Sequence, residues 1–308
     1  MPKIDGPSST SFTTPDGTRL ALYRQGPGEA SPTVVLVHGW VLDARTWEPV
    51  ASSLASTHPV VRYDLRGHGQ SGPAQPGTAT IAQLADDLAD LLRAEVEGPV
   101  VLVGHSLGGM AIMALAQRHP EVVAQRVVGV VFAATSCGDM MPHNLGLRPW
   151  QARVVATGES LFRRWAMRSR RYLNRGLTTK RPGLIRPAMR WLNFGEHPRR
   201  SDVTLITRCI ADSRPASLVG FRAGFDEHDQ VASLAAFRQL PALVLGGTRD
   251  RLTPIRHTDR IARELPDATL VRYDGAGHMV LVERAEQVAS RIAALVAAVE
   301  SGRPLPAE

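Results

Sequence analysis

The chain has 308 residues, 44% of them hydrophobic, with a net charge of +7 and only two cysteines. That apolar content can bury a full core, and Cys137 and Cys209 are too few for a disulfide framework, so both read as small buried hydrophobes in a reducing compartment. The first residues, MPKIDGPSSTSF, lack the apolar stretch of a secretory leader, and runs such as IAALVAAV are too short to span a bilayer, which predicts a cytoplasmic protein.

In chain order, TSFTTPDGTRLALYR places Pro15-Asp16-Gly17 between two strand-like stretches and predicts a β-hairpin at a sheet edge. Short apolar β-branched runs follow at 33–37 (TVVLV), 59–63 (PVVRY), 100–103 (VVLV), 127–133 (VVGVVFA), 242–245 (ALVL) and 269–273 (TLVRY). Their hydrophobicity is continuous rather than alternating, as in strands buried on both faces, and helical patterns between them supply the crossovers that parallel neighbours need. TIAQLADDLADLL carries a capping box, Thr80 and Gln83, ahead of apolar residues at helical spacing. LGGMAIMALAQ is apolar nearly all round and predicts a buried helix, and RIAALVAAV closes the chain as another helix. The fold class is therefore α/β, a mostly parallel sheet flanked by helices.

Charge divides the chain. Residues 138–230 hold sixteen arginines and one lysine against eight acids, whereas the remainder has 19 basic and 21 acidic residues. The predicted organisation is a core of residues 1–137 and 231–308 interrupted by an arginine-rich helical segment, 138–230.

One stretch carries chemistry. Gly104-His105-Ser106-Leu107-Gly108 is a G-x-S-x-G pattern between a predicted strand and a predicted helix. A sharp turn there strains the serine backbone, lifts its hydroxyl clear of the sheet and sets it at a helix N-terminus, where free N–H groups favour developing negative charge. A hydroxyl needs a base that a third group orients. His278, in YDGAGHMVLVE, lies in a glycine-rich loop after the last predicted strand and best fits the base. His38, His68 and His105 adjoin glycine turns and read as supporting residues; the remaining six histidines read as surface or packing. For the acid, Asp250 in ALVLGGTRDRLTP is preferred over Asp139 in SCGDM.

These motifs together resemble the α/β-hydrolases. LVHGW is similar to that family's oxyanion loop, YDLRGHGQS to its D-x-R-G-x-G-x-S turn, GHSLGG to its nucleophile elbow, GTRDRLTP to its acid loop and GAGHMVLVE to its histidine loop, all in order. The resemblance implies a Ser106–Asp250–His278 triad and an oxyanion hole built from the backbone N–H groups of Trp40 and Leu107, with His38, Gly39, His105 and Trp165 as supporting or pocket residues. A serine at the elbow, where dehalogenases and epoxide hydrolases carry an aspartate, implies hydrolysis of a carboxylic ester or thioester. Carbon–carbon bond hydrolases and cofactor-free perhydrolases share that triad, and a ligand-receptor role with vestigial chemistry is the alternative outside enzymes.

No metal-ligand spacing or phosphate loop appears, so no cofactor and no metal are implied. Residues 138–230 fall where the family carries a helical cap that shapes the pocket. In SLFRRWAMRSRRYLNRGL, Phe162, Trp165 and Tyr172 fall on one helical face among arginines. That charge suits an anionic or carrier-protein-bound ester ahead of a membrane surface, and no nucleic-acid motif accompanies it.

Overall fold

The computed structural model describes residues 8–28, 32–140, 149–169, 179–225, 227–303 and 305. Its eight strands are β1 (Ser8–Thr13), β2 (Arg19–Gln25), β3 (Thr33–Val37), β4 (Val60–Tyr63), β5 (Val100–His105), β6 (Val127–Ala133), β7 (Ala242–Gly247) and β8 (Thr269–Tyr273). They form one sheet in the order β1-β2-β4-β3-β5-β6-β7-β8. β1 and β2 are the expected hairpin at the edge, and β2 pairs antiparallel with β4; from β4 onward every pairing is parallel.

The continuous apolar runs are explained by the sheet's two buried faces. Val35, Val37, Leu102 and Val130 point into one core layer, and their neighbours Val34, Leu36, Val101, Val103 and Val131 into the other. Helices cover both. α1 (Glu48–Leu54), α2 (Ile81–Glu95), α3 (Leu107–Arg118) and α4 (Pro120–Arg126) lie between the early strands. Later come α5 (Pro149–Arg168), α6 (Pro182–Asn193), α7 (Arg200–Asp212) and α8 (Pro215–Phe225), all between β6 and β7, then α9 (Ile255–Glu264), α10 (Val280–Glu283) and α11 (Ala285–Ser301). Leu84, Leu88 and Met110 of α2 and α3 fill the first layer, and Val50, Leu54 and Ile292 of α1 and α11 the second.

Only half of the capping box forms. Thr80 Oγ1 accepts the Gln83 N–H at 3.1 Å, but the Gln83 amide reaches forward to Asp87 instead of back to the cap. Asp87 is buried because it binds the guanidinium of Arg66, itself inaccessible to solvent, with Nε to Oδ2 at 2.6 Å. Both cysteines are free and buried. No described helix is long and apolar enough to cross a membrane.

Candidate active site

Because β3 to β8 run parallel, the loops leaving β3, β5, β6, β7 and β8 gather at one end of the sheet, where ligands of open α/β sheets bind. β5 ends at His105 and α3 begins at Leu107, so Ser106 alone makes the turn, with φ 51° and ψ −118°. This is a strained conformation for a residue with a side chain. It is held by the Ser106 N–H donating to Ala133 O at 3.0 Å, and by Thr135 Oγ1 donating to Ser106 O at 2.7 Å. Gly108 lets α3 start hard against β3: a methyl group there would overlap the Val37 carbonyl oxygen. The N–H of Leu107, first in the helix, has no acceptor within it.

Asp250 and His278 meet from two loops. Asp250 Oδ1 accepts the backbone N–H groups of Leu252 and Thr253, each at 2.8 Å. Its Oδ2 lies 2.8 Å from His278 Nδ1 and also accepts a 2.8 Å hydrogen bond from Thr253 Oγ1. With Nδ1–H given to the carboxylate, His278 keeps its Nε2 lone pair for another proton. Among the described residues no hydrogen bond joins Ser106 Oγ to the imidazole; such bonds commonly tighten only around a substrate. The rival Asp139 is exposed and paired with Arg260, while Asp250 is buried against His278.

The other histidines fall into place by their tautomers. His105 Nε2 faces the His278 carbonyl at 3.0 Å, so that nitrogen carries the proton, and its Nδ1 is buried without a hydrogen-bond partner. Burial, then the neighbouring His278, push its pKa well below the usual histidine value. His38 accepts the Leu65 N–H on Nε2 at 2.9 Å, which leaves Nδ1–H to donate to Gly39 O at 2.8 Å. His68 donates from Nδ1 to Arg66 O, and burial drives its pKa down to about 3. All three are neutral near pH 7 and closed to solvent, which suits structural work rather than proton transfer from a substrate.

The His38 contact bears on Trp40. The Gly39 carbonyl and the Trp40 N–H share one trans peptide and point in opposite directions, so holding the first aims the second. A Cβ on Gly39 would sit 2.9 Å from His105 Nδ1 and 3.2 Å from Ser106 Cβ, so this backbone closes on the elbow only as glycine. The Trp40 indole donates to Ser217 O at 3.4 Å and meets Phe225 edge to face, tying the loop to α8.

Several contributors escaped the sequence reading. Asp64 accepts the N–H groups of Ala44 and Gln70, each at 2.7 Å, and so pins the loop after β3. Glu283 accepts Gly277 N–H at 2.8 Å and Gly195 N–H at 2.9 Å, joining the His278 loop to the segment after α6. Thr253 joins Asp250, to which its N–H donates, to the Ala134 carbonyl oxygen, 2.9 Å from its hydroxyl. All three stood inside quoted motifs, Asp64 in YDLRGHGQS, Thr253 in GTRDRLTP and Glu283 at the end of GAGHMVLVE, but no offset along the chain gives the partner of Glu283 at Gly195. Two histidines expected at the surface or in ordinary packing, His228 and His257, are buried on either side of Ser136, His228 Nε2 at 2.8 Å from its carbonyl and His257 Nδ1 at 2.9 Å from its hydroxyl.

Trp165, expected as a pocket residue, lies on α5 with 55% of its surface exposed, beside the fully buried Ala166. Phe162 and Tyr172, expected to share its face, fall outside the described side chains. No group of three or more His, Cys, Asp or Glu among the described residues could hold a metal ion.

Comparison with known proteins agrees with this architecture. The profile of the alpha/beta hydrolase family matches residues 34–291. The chain is 28% identical over 261 residues to a pimeloyl-(acyl-carrier protein) methyl ester esterase of Aromatoleum aromaticum, covering 84% of this chain and 95% of that one. It is 31% identical over 249 residues to the protein of the same name from Chromobacterium violaceum, covering 80% and 87%. A thermophilic esterase from Thermogutta terrifontis superimposes with a TM-score of 0.74 at 27% identity, over 95% of this chain and 99% of the other. The chain belongs to the alpha/beta hydrolase family, as an enzyme of its ester-hydrolysing kind.

Proposed function

We propose that the chain is a serine hydrolase that cleaves a carboxylic ester through an acyl-enzyme, with Ser106 as nucleophile, His278 as general base and Asp250 as the residue that orients it. The observation that carries this is the Asp250–His278 pair: a buried carboxylate, fixed by two backbone N–H groups, holds Nδ1 at 2.8 Å and leaves Nε2 to work. His278 Nε2 takes the Ser106 proton as Oγ bonds to the ester carbonyl carbon. The carbonyl π electrons move onto its oxygen, where the N–H groups of Trp40 and Leu107 receive the charge. Collapse expels the alkoxide, which leaves with the proton from His278; a water then repeats the sequence and frees the acid and the serine.

The helices between β6 and β7 serve in this reading as a cap that shapes the acyl pocket. Trp40 supports that role, because one residue supplies an oxyanion N–H from its backbone and a contact to α8 from its ring. The substrate is a small-molecule ester, and the curated relatives named above, whose ester is carried on an acyl-carrier protein, bring a carrier-bound acyl group within its class.

The decisive experiment combines a fluorophosphonate probe with pre-steady-state turnover of an activated ester. Stoichiometric labelling mapped to Ser106, together with a product burst equal to the enzyme concentration, is expected. Labelling elsewhere, or product formed without a burst and without labelling, would overturn the serine mechanism. A parallel panel of thioesters, diketones and peracid formation shows which bond the pocket favours.

A further inference from the structure

Five large apolar side chains are exposed among the described residues, and all five stand on two helices of the inserted segment: Val154, Leu161 and Trp165 on α5, Leu184 and Trp191 on α6. They are ordered. On α5 they fall at i, i+7 and i+11, one face of a helix, with Gly158 in the gap between the first two. On α6, Leu184, Pro187, Ala188 and Trp191 are all exposed at i, i+3, i+4 and i+7. α6 already has an inward apolar face, since Ile185 and Met189 pack against the core. A second apolar stripe on the opposite side contributes nothing to that packing, and contiguous exposed apolar surface of this kind marks a contact site.

The surroundings of the stripes say what they contact. From Pro149 to Asn193 the sequence holds eleven cations against a single acid, Glu159. Arg153, Arg164 and Arg168 are exposed on α5, and Arg181 and Arg190 at the two ends of α6. A second copy of the chain would bring eleven cations against eleven and repel. An acidic protein surface would engage the guanidinium groups while leaving Leu184, Leu161 and two tryptophans to be matched by an apolar partner of the same shape. A bilayer with anionic headgroups satisfies both at once: phosphates take the arginines, and the boundary beneath them takes leucine and tryptophan.

We infer that the outward faces of α5 and α6 dock the enzyme onto an anionic lipid surface. The docked helix is tied to the candidate site, because the Arg251 guanidinium, adjacent in sequence to Asp250, lies 5.1 Å above the Trp191 ring and donates to the Trp191 carbonyl at 2.8 Å. An enzyme held this way presents the carboxyl end of its sheet near the membrane, where long-chain esters reside. The docking surface stands apart from the reaction proposed above and is read without it.

The test is sedimentation of the full-length protein with two sets of vesicles, phosphatidylcholine alone and phosphatidylcholine containing about one-third phosphatidylglycerol. Binding about tenfold tighter to the anionic vesicles, weakened by added salt, is expected. Leu161→Gln with Leu184→Gln should lower affinity for anionic vesicles by roughly tenfold. Arg164→Gln, Arg168→Gln, Arg181→Gln and Arg190→Gln together should abolish the preference for anionic lipid. All these positions are exposed, so folding is preserved, and turnover of a short soluble ester should stay within about twofold of the native enzyme, as expected for surface positions away from packed features. Equal binding to both vesicle types, no loss in the leucine variant, self-association that covers the stripes, or binding to an acidic acyl-carrier protein without binding to vesicles would each overturn the inference. A native protein that binds anionic vesicles but turns over no ester would leave the docking surface in place and remove only the hydrolase mechanism.

Discussion

The loops at the carboxyl ends of β3, β5, β7 and β8 and the helices inserted between β6 and β7 meet around one site but are built on opposite terms. The loops are buried: His38, His105, Asp250 and His278 are each at most 6% exposed, and both nitrogens of His38, Nε2 of His105 and Oδ1 of Asp250 are held by backbone groups. The inserted helices carry the exposed leucines, tryptophans and arginines. A reacting centre needs groups fixed to a fraction of an ångström, which requires burial and full hydrogen bonding, whereas a recognition surface needs accessible area and tolerates motion. The difference teaches where a substitution will be felt as lost chemistry and where as lost binding.

The comparison breaks if its largest expected effect is absent. Ser106→Ala should reduce ester turnover by on the order of 10⁴-fold or more, with a melting temperature unchanged or raised, since alanine gives up nothing that holds the turn. Steady-state kinetics and calorimetry check both halves. Asp250→Asn should cost about 10⁴-fold in kcat by releasing the imidazole tautomer, while Asp139→Asn, at an exposed pair with Arg260, should leave kcat within about twofold. The reverse pattern would move the acid to the loop after β6.

Glu283→Ala sharpens the contrast at one remove. Loss of both acceptors leaves the N–H groups of Gly195 and Gly277 unanswered, so a stability loss of about 1–3 kcal/mol is expected by chemical denaturation, with kcat falling roughly tenfold as the His278 loop loosens. The smallest effect concerns pH. His38, His68 and His105 have pKa values lowered by burial, so below pH 6.5 the unfolded chain takes up protons that the folded chain refuses, and stability falls as pH falls. For His68, lowered to about 3, the slope grows toward a limit of ~1.4 kcal/mol per pH unit as pH falls below 6.5, which amounts to about 1–2 kcal/mol between pH 6.5 and 5. His68→Gln should flatten the slope by about that much in urea titrations at the two pH values, and an unchanged slope would show that the ring is not buried neutral.

The core was legible because its signals are local. Continuous runs such as VVLV can bury both faces only in a covered sheet, and the glycines around Ser106 announce a turn that the φ of 51° realises. The pairing of Asp250 with His278 was legible through order along the chain rather than geometry. What hid was set by partners distant in sequence: Glu283 looks like any acid on a short helix until Gly195, 88 residues earlier, is seen against it. The direction of the apolar stripe on α5 hid for another reason. Helical spacing places Trp165 on a face but does not say which way that face turns, and here Ala166 faces inward. The second stripe, on α6, was masked by the inward pair Ile185 and Met189, which satisfies the periodicity by itself.

The joint at Glu283 also has a mechanical meaning. Besides the carboxylate, the Glu196 N–H donates to Gly275 O at 2.9 Å and the Met279 N–H to Asn193 O at 3.1 Å, so the strand of chain leaving α6 is laced to the loop that carries His278. The two segments are therefore one body, and α6 cannot swing away without carrying the imidazole with it. Amide exchange at Gly195, Glu196, Gly277 and Met279 should accordingly proceed at a single shared rate, a latch released as a unit and slower than the exposed helix surfaces around it.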